Sequence, residues 1–194
     1  VKNLEDEYAG NVFSDIPNPM GKLHRNKDNK DKKSRLVGNL YAELHLFDGF
    51  MFKTSFGADY NNLYRRSFSP KYDEINASEK LSGLSNRNAW NFNWVFTNTL
   101  NYTKTFGDHT INALLGLESL RNRYEYFTAS RDGFPSDDPN FHFLDAGDVG
   151  TQKNSGSATE YSMVSYFGKI DYNYHDRYLV AFTLRRDGSS RLGN

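Results

Sequence analysis

Apolar and polar residues alternate with a period of two along six stretches of this chain, each longer than a globular strand needs to be. In the first, about Ser34 to Phe47, Leu36, Gly38, Leu40, Ala42, Leu44 and Leu46 fall on one face. Arg35, Asn39, Tyr41, Glu43 and His45 fall on the other. That period belongs to a strand and not to a helix. The second sets Phe50, Phe52, Thr54, Phe56, Ala58 and Tyr60 against Met51, Lys53, Ser55, Gly57 and Asp59. The third, about Trp90 to Thr105, sets Trp90, Phe92, Trp94, Phe96, Leu100 and Tyr102 against Asn91, Asn93, Thr97, Thr99, Asn101 and Thr103, with Asn98 interrupting the apolar side. The fourth, about His109 to Phe127, sets Ile111, Ala113, Leu115 and Leu117 against Asn112, Gly116 and Glu118. The fifth (about Tyr161 to Tyr174) opposes Val164, Tyr166, Ile170 and Tyr172 to Ser165, Lys169, Asp171 and Asn173, and the sixth (about Arg177 to Arg186) is the least regular. Globular strands average about 5–6 residues, whereas a strand that crosses a membrane takes about 9–11.

The connections are as uneven as the strands are regular. Asp48-Gly49, Gly107-Asp108 and His175-Asp176 form tight turns, and Asp48-Gly49 supplies the positive φ of a two-residue hairpin. The other two connections are long. Outer-membrane barrels show this asymmetry, with short periplasmic turns and longer extracellular loops. The expected fold is therefore all-β, with about six antiparallel up-and-down strands forming a fragment of a large transmembrane β-barrel. It divides into an opening loop (1–33), a hairpin (34–60), an extracellular loop (61–89), a hairpin (90–127), a second extracellular loop (128–160), a hairpin (161–187) and the start of another loop (188–194). Leu40, Leu44, Phe52, Phe56, Trp94, Phe96, Leu115 and Ile170 are expected to face lipid. Glu43, Lys53, Asn93, Glu118, Lys169 and Asp171 are expected to face the lumen. In a soluble two-sheet sandwich the same polar face would simply meet solvent.

Composition sharpens this reading. Lys+Arg and Asp+Glu both number 24, so no net charge draws in nucleic acid. The run Lys27 to Lys33 alternates lysine with Asp and Asn and reads as solvated loop. Cysteine is absent, which excludes disulfides, thiol catalysis and Cys-based metal sites. A mean hydropathy of −0.77 suits a soluble protein, yet half of each barrel strand faces a polar lumen and carries little hydropathy signal. No apolar run approaches the ~20 residues of a membrane helix. The 15 Phe, 13 Tyr and 2 Trp exceed what a core of this size uses and suit aromatic girdles. The chain opens on Val1 without a basic, apolar leader and stops at Arg191-Leu192-Gly193-Asn194, so it reads as a piece of a longer protein.

One family matches these placed strands. Ser34-Arg-Leu-Val-Gly-Asn-Leu-Tyr-Ala-Glu-Leu44, followed by Phe52-Lys-Thr-Ser-Phe-Gly-Ala-Asp-Tyr60, resembles the mid-barrel region of SusC/RagA-type TonB-dependent transporters. Tyr178-Leu-Val-Ala-Phe-Thr-Leu-Arg-Arg-Asp-Gly-Ser-Ser-Arg191 resembles the same family more closely, and Ser165-Tyr-Phe-Gly-Lys-Ile-Asp-Tyr-Asn-Tyr174 and Asn18-Pro19 are similar to it too. The resemblance implies a barrel of about 22 strands with a plugged lumen, located in the outer membrane and importing a glycan or peptide. It implies a SusD-like surface lipoprotein as a lid and TonB as the energy source. Neither a plug nor a TonB-binding box is found in these residues. Six strands cannot close such a barrel, and unpaired edges in lipid cost several kcal/mol per group.

Sites of chemistry are sparse. His24, His45, His109, His142 and His175 lie apart without a zinc-binding spacing, and no Gly-x-Ser-x-Gly elbow occurs. Arg186-Asp187-Gly188-Ser189-Ser190-Arg191 lacks the phosphate-loop pattern and reads as a strand entering a loop. The acidic loop 131–148, with Asp132, Asp137, Asp138, Asp145 and Asp148, is a candidate Ca²⁺ site, although its spacing fits no known loop and solvated acids are the simpler reading. Phe134, Phe141 and Phe143 in that loop, and Tyr64, Phe68 and Tyr72 in the earlier one, are candidates for stacking on substrate or packing against a partner, or else for packing within the loops. No catalytic set and no cofactor site emerges. A soluble or surface-exposed glycan-binding β domain and an enzymatic outer-membrane barrel remain the alternatives.

Overall fold

The computed structural model describes residues 19–74 and 77–192. In chain order these form α1 (Pro19–Arg25), β1 (Lys30–Phe47), β2 (Phe50–Ser69), β3 (Tyr72–Glu74), β4 (Ala77–Glu79), β5 (Gly83–Phe106), β6 (His109–Asp132), three short 3-10 turns, β7 (Lys153–Tyr174) and β8 (Tyr178–Ser189). The six long strands make one sheet in the order β1-β2-β5-β6-β7-β8, and β3 and β4 form a separate ribbon. Sequential neighbours pair throughout, which is the up-and-down antiparallel topology that tight turns permit. No described helix is long and apolar enough to cross a membrane, which says nothing of strands.

Each tight turn solves the reversal differently. Gly107 has φ 57° and Asp108 does not share it, the pattern of a type II′ turn with glycine first. His175 and Asp176 both sit at φ 53°, as a type I′ turn requires, and Asp and His are among the few side chains that accept it. Asn173 Nδ2 donates to Asp176 Oδ1 at 2.6 Å across this turn. At Asp48-Gly49 only the glycine is positive, φ 80°. The connection is two residues long, between Phe47 and Phe50, and its glycine supplies the positive φ expected there. Beyond the turn, Glu43 and Lys53 form an ion pair of 2.8 Å.

The strands run beyond the bounds read from the sequence. Residues 30–33, 61–69, 83–89, 128–132, 153–160 and 188–189, assigned above to loops, are strand. α1 also occupies part of the opening loop, starting at Pro19, whose fixed φ suits a first helical position; residues 1–18, with Asn18, lie outside the described residues. The reason is visible at Asp31 and Arg65, joined by two hydrogen bonds of 2.7 Å. Where both faces of a strand are polar the hydrophobic alternation disappears, but the backbone ladder and its cross-strand pairs persist.

By packing the chain separates into two compact units. One comprises residues 35–61, 91–124 and 158–192; the other comprises 19–34, 62–74, 77–90 and 125–157.

Candidate functional site

The first unit is a wall with two chemically distinct faces. In β7 and β8 the register pairs Ile170 with Phe182, Tyr172 with Val180 and Gly168 with Leu184, so these side chains share one face. On that face Leu40, Leu44, Phe56, Phe96, Leu115, Ile170, Val180, Phe182 and Leu184 are all exposed, Leu115 by 65% and Leu40 by 77%. Phe52 and Trp94 are half-buried, with the Trp94 ring stacked near Phe56 at 6.3 Å. Beside the tight turns the apolar face is ringed by aromatics. Phe50 meets Tyr102 at 4.4 Å, Phe106 meets His109 at 5.3 Å, and His109 meets Tyr174 at 4.7 Å. His109 Nδ1 and the Tyr172 hydroxyl share a hydrogen bond of 2.6 Å. Amphipathic rings gathered at one level are what a membrane interface selects.

The opposite face satisfies its charges internally. Glu43 pairs with Lys53, Arg35 with Asp59 and Lys169 with Asp171, each at 2.8 Å. Asn122 donates to Asn91 at 2.7 Å and also to Asn93. Thr97 donates to Glu118 at 3.4 Å, and Arg185 reaches Glu118 at 3.4 Å, Asp187 at 2.8 Å and Ser165 Oγ at 3.1 Å. Ser165 is fully buried beneath this node, and the Phe167 ring lies over the bare Cα of Gly116, which no side chain could occupy without displacing it. Exposed pairs of this kind contribute little to stability, because water screens them. Their consequence is segregation, since they gather these charges on one side. The node around Arg185 was not singled out in the sequence because β8 alternates poorly, Leu179 and Ala181 sharing its face.

The second unit is a packed loop assembly. Phe68, Leu84 and Phe134 form its buried cluster, with Leu144 and Ala146 against it. Phe68 and Phe134 meet edge-to-face at 5.6 Å, so these two candidate contact residues are core. Ser82 ties the turn, accepting from the Phe134 amide at 3.0 Å and donating to its carbonyl at 3.1 Å. Tyr64 is half-buried, and Tyr72 lies under the Arg25 guanidinium at 3.8 Å. Phe141 and Phe143 stand out at 56% and 65% exposed, with Arg66 5.8 Å from the Phe143 ring. The acids of loop 131–148 are employed singly: Asp138 and Asp148 cap 3-10 turns, Asp132 pairs with Lys153 at 3.2 Å and Asp145 with Arg131 at 3.3 Å. Among the described residues no group of three or more His, Asp or Glu is placed to hold a metal ion.

Among the described residues of this assembly His142 is the one buried titratable group, stacked 3.5 Å from Phe68 at 17°. Its Nε2 is buried without a hydrogen-bond partner. Burial first, and then the Arg66 charge, push its pKa below the ordinary histidine value, against an opposing hydrogen bond and charge from Asp137. A base with a depressed folded pKa contributes its full stability above its unfolded pKa, about 6.5, and loses it as pH falls below that value. Hydrogen exchange in residues 133–152, corrected for the chemical rate, is expected to accelerate between pH 7.5 and 5.0. In His142→Phe that acceleration should vanish; if it persists unchanged, another group is responsible.

A sheet of long antiparallel strands, apolar on one face, ion-paired on the other and ringed by aromatics at its turns, defines a segment of a membrane β-barrel wall. Comparison with known proteins makes the class specific. No protein-family model matches the chain. TonB-dependent receptor P3 of Formosa agariphila is 31% identical over 194 residues, 99% of this chain and 19% of that protein. TonB-dependent receptor SusC of Bacteroides thetaiotaomicron is 26% identical, over 98% of this chain and 18% of its own length. In fold, the structure of the RagAB peptide transporter superposes with a TM-score of 0.82 at 24% identity, covering 90% of this chain and 19% of that one. The chain is SusC/RagA-like, a partial barrel similar over nearly its whole length to TonB-dependent receptors, and spans about a fifth of the relatives it matches. Receptors of this kind are outer-membrane proteins, and the relatives are named for reception and transport rather than for an enzyme.

Proposed function

We propose that the protein of which this chain is a segment is a TonB-dependent outer-membrane transporter that imports oligosaccharides or peptides together with a SusD-like lipoprotein. The observation that carries this reading is the separation of faces across the wall, apolar at Leu40, Phe56, Leu115 and Phe182 and ion-paired at Glu43–Lys53 and Arg185–Glu118. A water-filled passage bounded by lipid requires that division. The likeness to the RagAB peptide transporter favours peptide as cargo. Phe141 and Phe143, two exposed aromatics of the loop assembly, then contact cargo or the lipoprotein.

Deleting the full-length gene should abolish growth on oligopeptides or oligosaccharides as sole nutrient while growth on the free monomers continues. Loss of neither phenotype overturns the reading. The double change Phe141→Ser and Phe143→Ser should lower uptake roughly tenfold, two aromatic contacts being worth about 0.5–1.5 kcal/mol each. Uptake at the wild-type rate, in cells with equal folded receptor, would remove these rings from the contact surface.

A further inference from the structure

Arg65 and Arg66 stand side by side on β2 and are employed differently. Arg65 is held in a two-bond fork by Asp31, each bond 2.7 Å long. Arg66, half-buried in the loop assembly, donates through Nη2 to the Pro139 carbonyl at 3.1 Å. The same oxygen accepts the His142 amide at 3.3 Å, so Arg66 is tied to the turn that carries Phe141, His142 and Phe143. His142 lies flat on Phe68 in the core of the assembly, whereas the exposed Phe143 ring stands 5.8 Å from the Arg66 guanidinium.

The acids around this turn are otherwise engaged. Asp31 belongs to Arg65, Asp138 accepts the Asn140 amide at 2.9 Å, and Asp28 and Asp137 act on His142. Among the described residues no carboxylate forms an ion pair with Arg66, whose contacts are the Pro139 carbonyl and the Phe143 ring. A guanidinium carries five donors in a planar fork, so one bond to Pro139 leaves others for a ligand. A carboxylate takes two of them at once. Asp28, Asp137 and Asp138 are exposed close by, and their field opposes a ligand of several negative charges. That disfavours a uronate chain, which bears a carboxylate on every ring, and suits a peptide, which ends in one. We propose that Arg66, bordered by the exposed Phe141 and Phe143, is a site for the C-terminal carboxylate of a cargo peptide. This rests on the transporter reading above and narrows its cargo to peptides.

The test follows depletion of a tryptic casein digest from the medium by cells carrying the full-length gene, counting the part that is lost when the gene is deleted. Mass spectrometry reads peptides free of Asp and Glu, so that each bears one carboxyl group, its C-terminus. The same digest after methyl esterification, and oligogalacturonate, are the parallel arms. Wild type should take up the free acids roughly tenfold faster than the esters, one charge-assisted fork being at stake. Arg66→Gln should slow the acids to the rate of the esters and leave the esters unchanged, and Arg66→Lys should restore part of the difference. An equal fall for acids and esters would mean that Arg66 merely braces Pro139, and overturns the site. So does an unchanged preference for acids in Arg66→Gln, in cells with equal heat-modifiable receptor. Uptake of oligogalacturonate in place of peptide, lost in Arg66→Gln, overturns the peptide as the source of the carboxylate. If deleting the gene alters uptake of neither peptide nor oligosaccharide, the transporter reading itself falls, before any variant is made.

Discussion

Leu115→Arg in the full-length receptor should destabilise the folded barrel by about 2–4 kcal/mol, the depth-dependent cost of a cation near the bilayer midplane. Leu115 lies midway between His109 and Arg121 on β6 and is 65% exposed on the apolar face. Its described surroundings on that face are apolar, with Leu115 packed against Gly168, whereas the pairs Glu43–Lys53 and Lys169–Asp171 lie on the other face. The matched control is Lys169→Leu. It removes one half-exposed ion pair from a wetted face, a change worth roughly 0–1 kcal/mol. Equilibrium unfolding in denaturant, followed on receptor folded into lipid vesicles, reads both. Equal midpoints for the two variants would mean that the faces are assigned the wrong way round.

Gly49→Val should be comparably damaging for a reason confined to the backbone. Gly49 has φ 80°, and a Cβ there would run into the Thr103 carbonyl oxygen and crowd the Tyr102 ring. The Gly49 carbonyl also accepts from the Thr103 amide at 2.8 Å, so the turn cannot swing away without losing that bond. Left-handed strain costs about 1–3 kcal/mol for such a residue, and the lost hydrogen bond about 1 kcal/mol more. Gly107 is the comparison: its φ is 57°, yet no atom lies within 4 Å of where a Cβ would stand. Asn accepts a positive φ more readily than most side chains, and nothing obstructs a Cβ there, so Gly107→Asn should cost less than Gly49→Val. Folded fractions measured by heat-modifiable migration in outer membranes separate the cases. A Gly49→Val receptor that assembles as completely as Gly107→Asn would show that this turn is not fixed by Thr103.

The period-two pattern was readable wherever one face of a strand is apolar. Leu40, Leu44, Phe56 and Leu115 stand exposed on the face assigned to lipid, and Glu43, Lys53, Glu118 and Lys169 are joined in polar contacts on the other. The resemblance carried by residues 34–60 and 165–191 pointed to the same barrel, because both rest on local spacing that survives without knowledge of partners. Strand ends were not readable. At Asp31 and Arg65 both faces are polar, and only the neighbouring strand shows that these are ladder residues and not loop.

Local sequence therefore determined the fold class, the facing of the strands and where the tight turns fall, since side-chain alternation and left-handed turn residues act over a few residues. Tertiary structure alone decided that Phe68 and Phe134 are core while Phe141 and Phe143 are not. It alone brought Ser165, Arg185 and Glu118 into one node, and Glu160 between Arg121 and Arg123. The physical reason is separation along the chain. Burial and ion pairing depend on which distant residue the sheet register places opposite, and no local pattern encodes that choice.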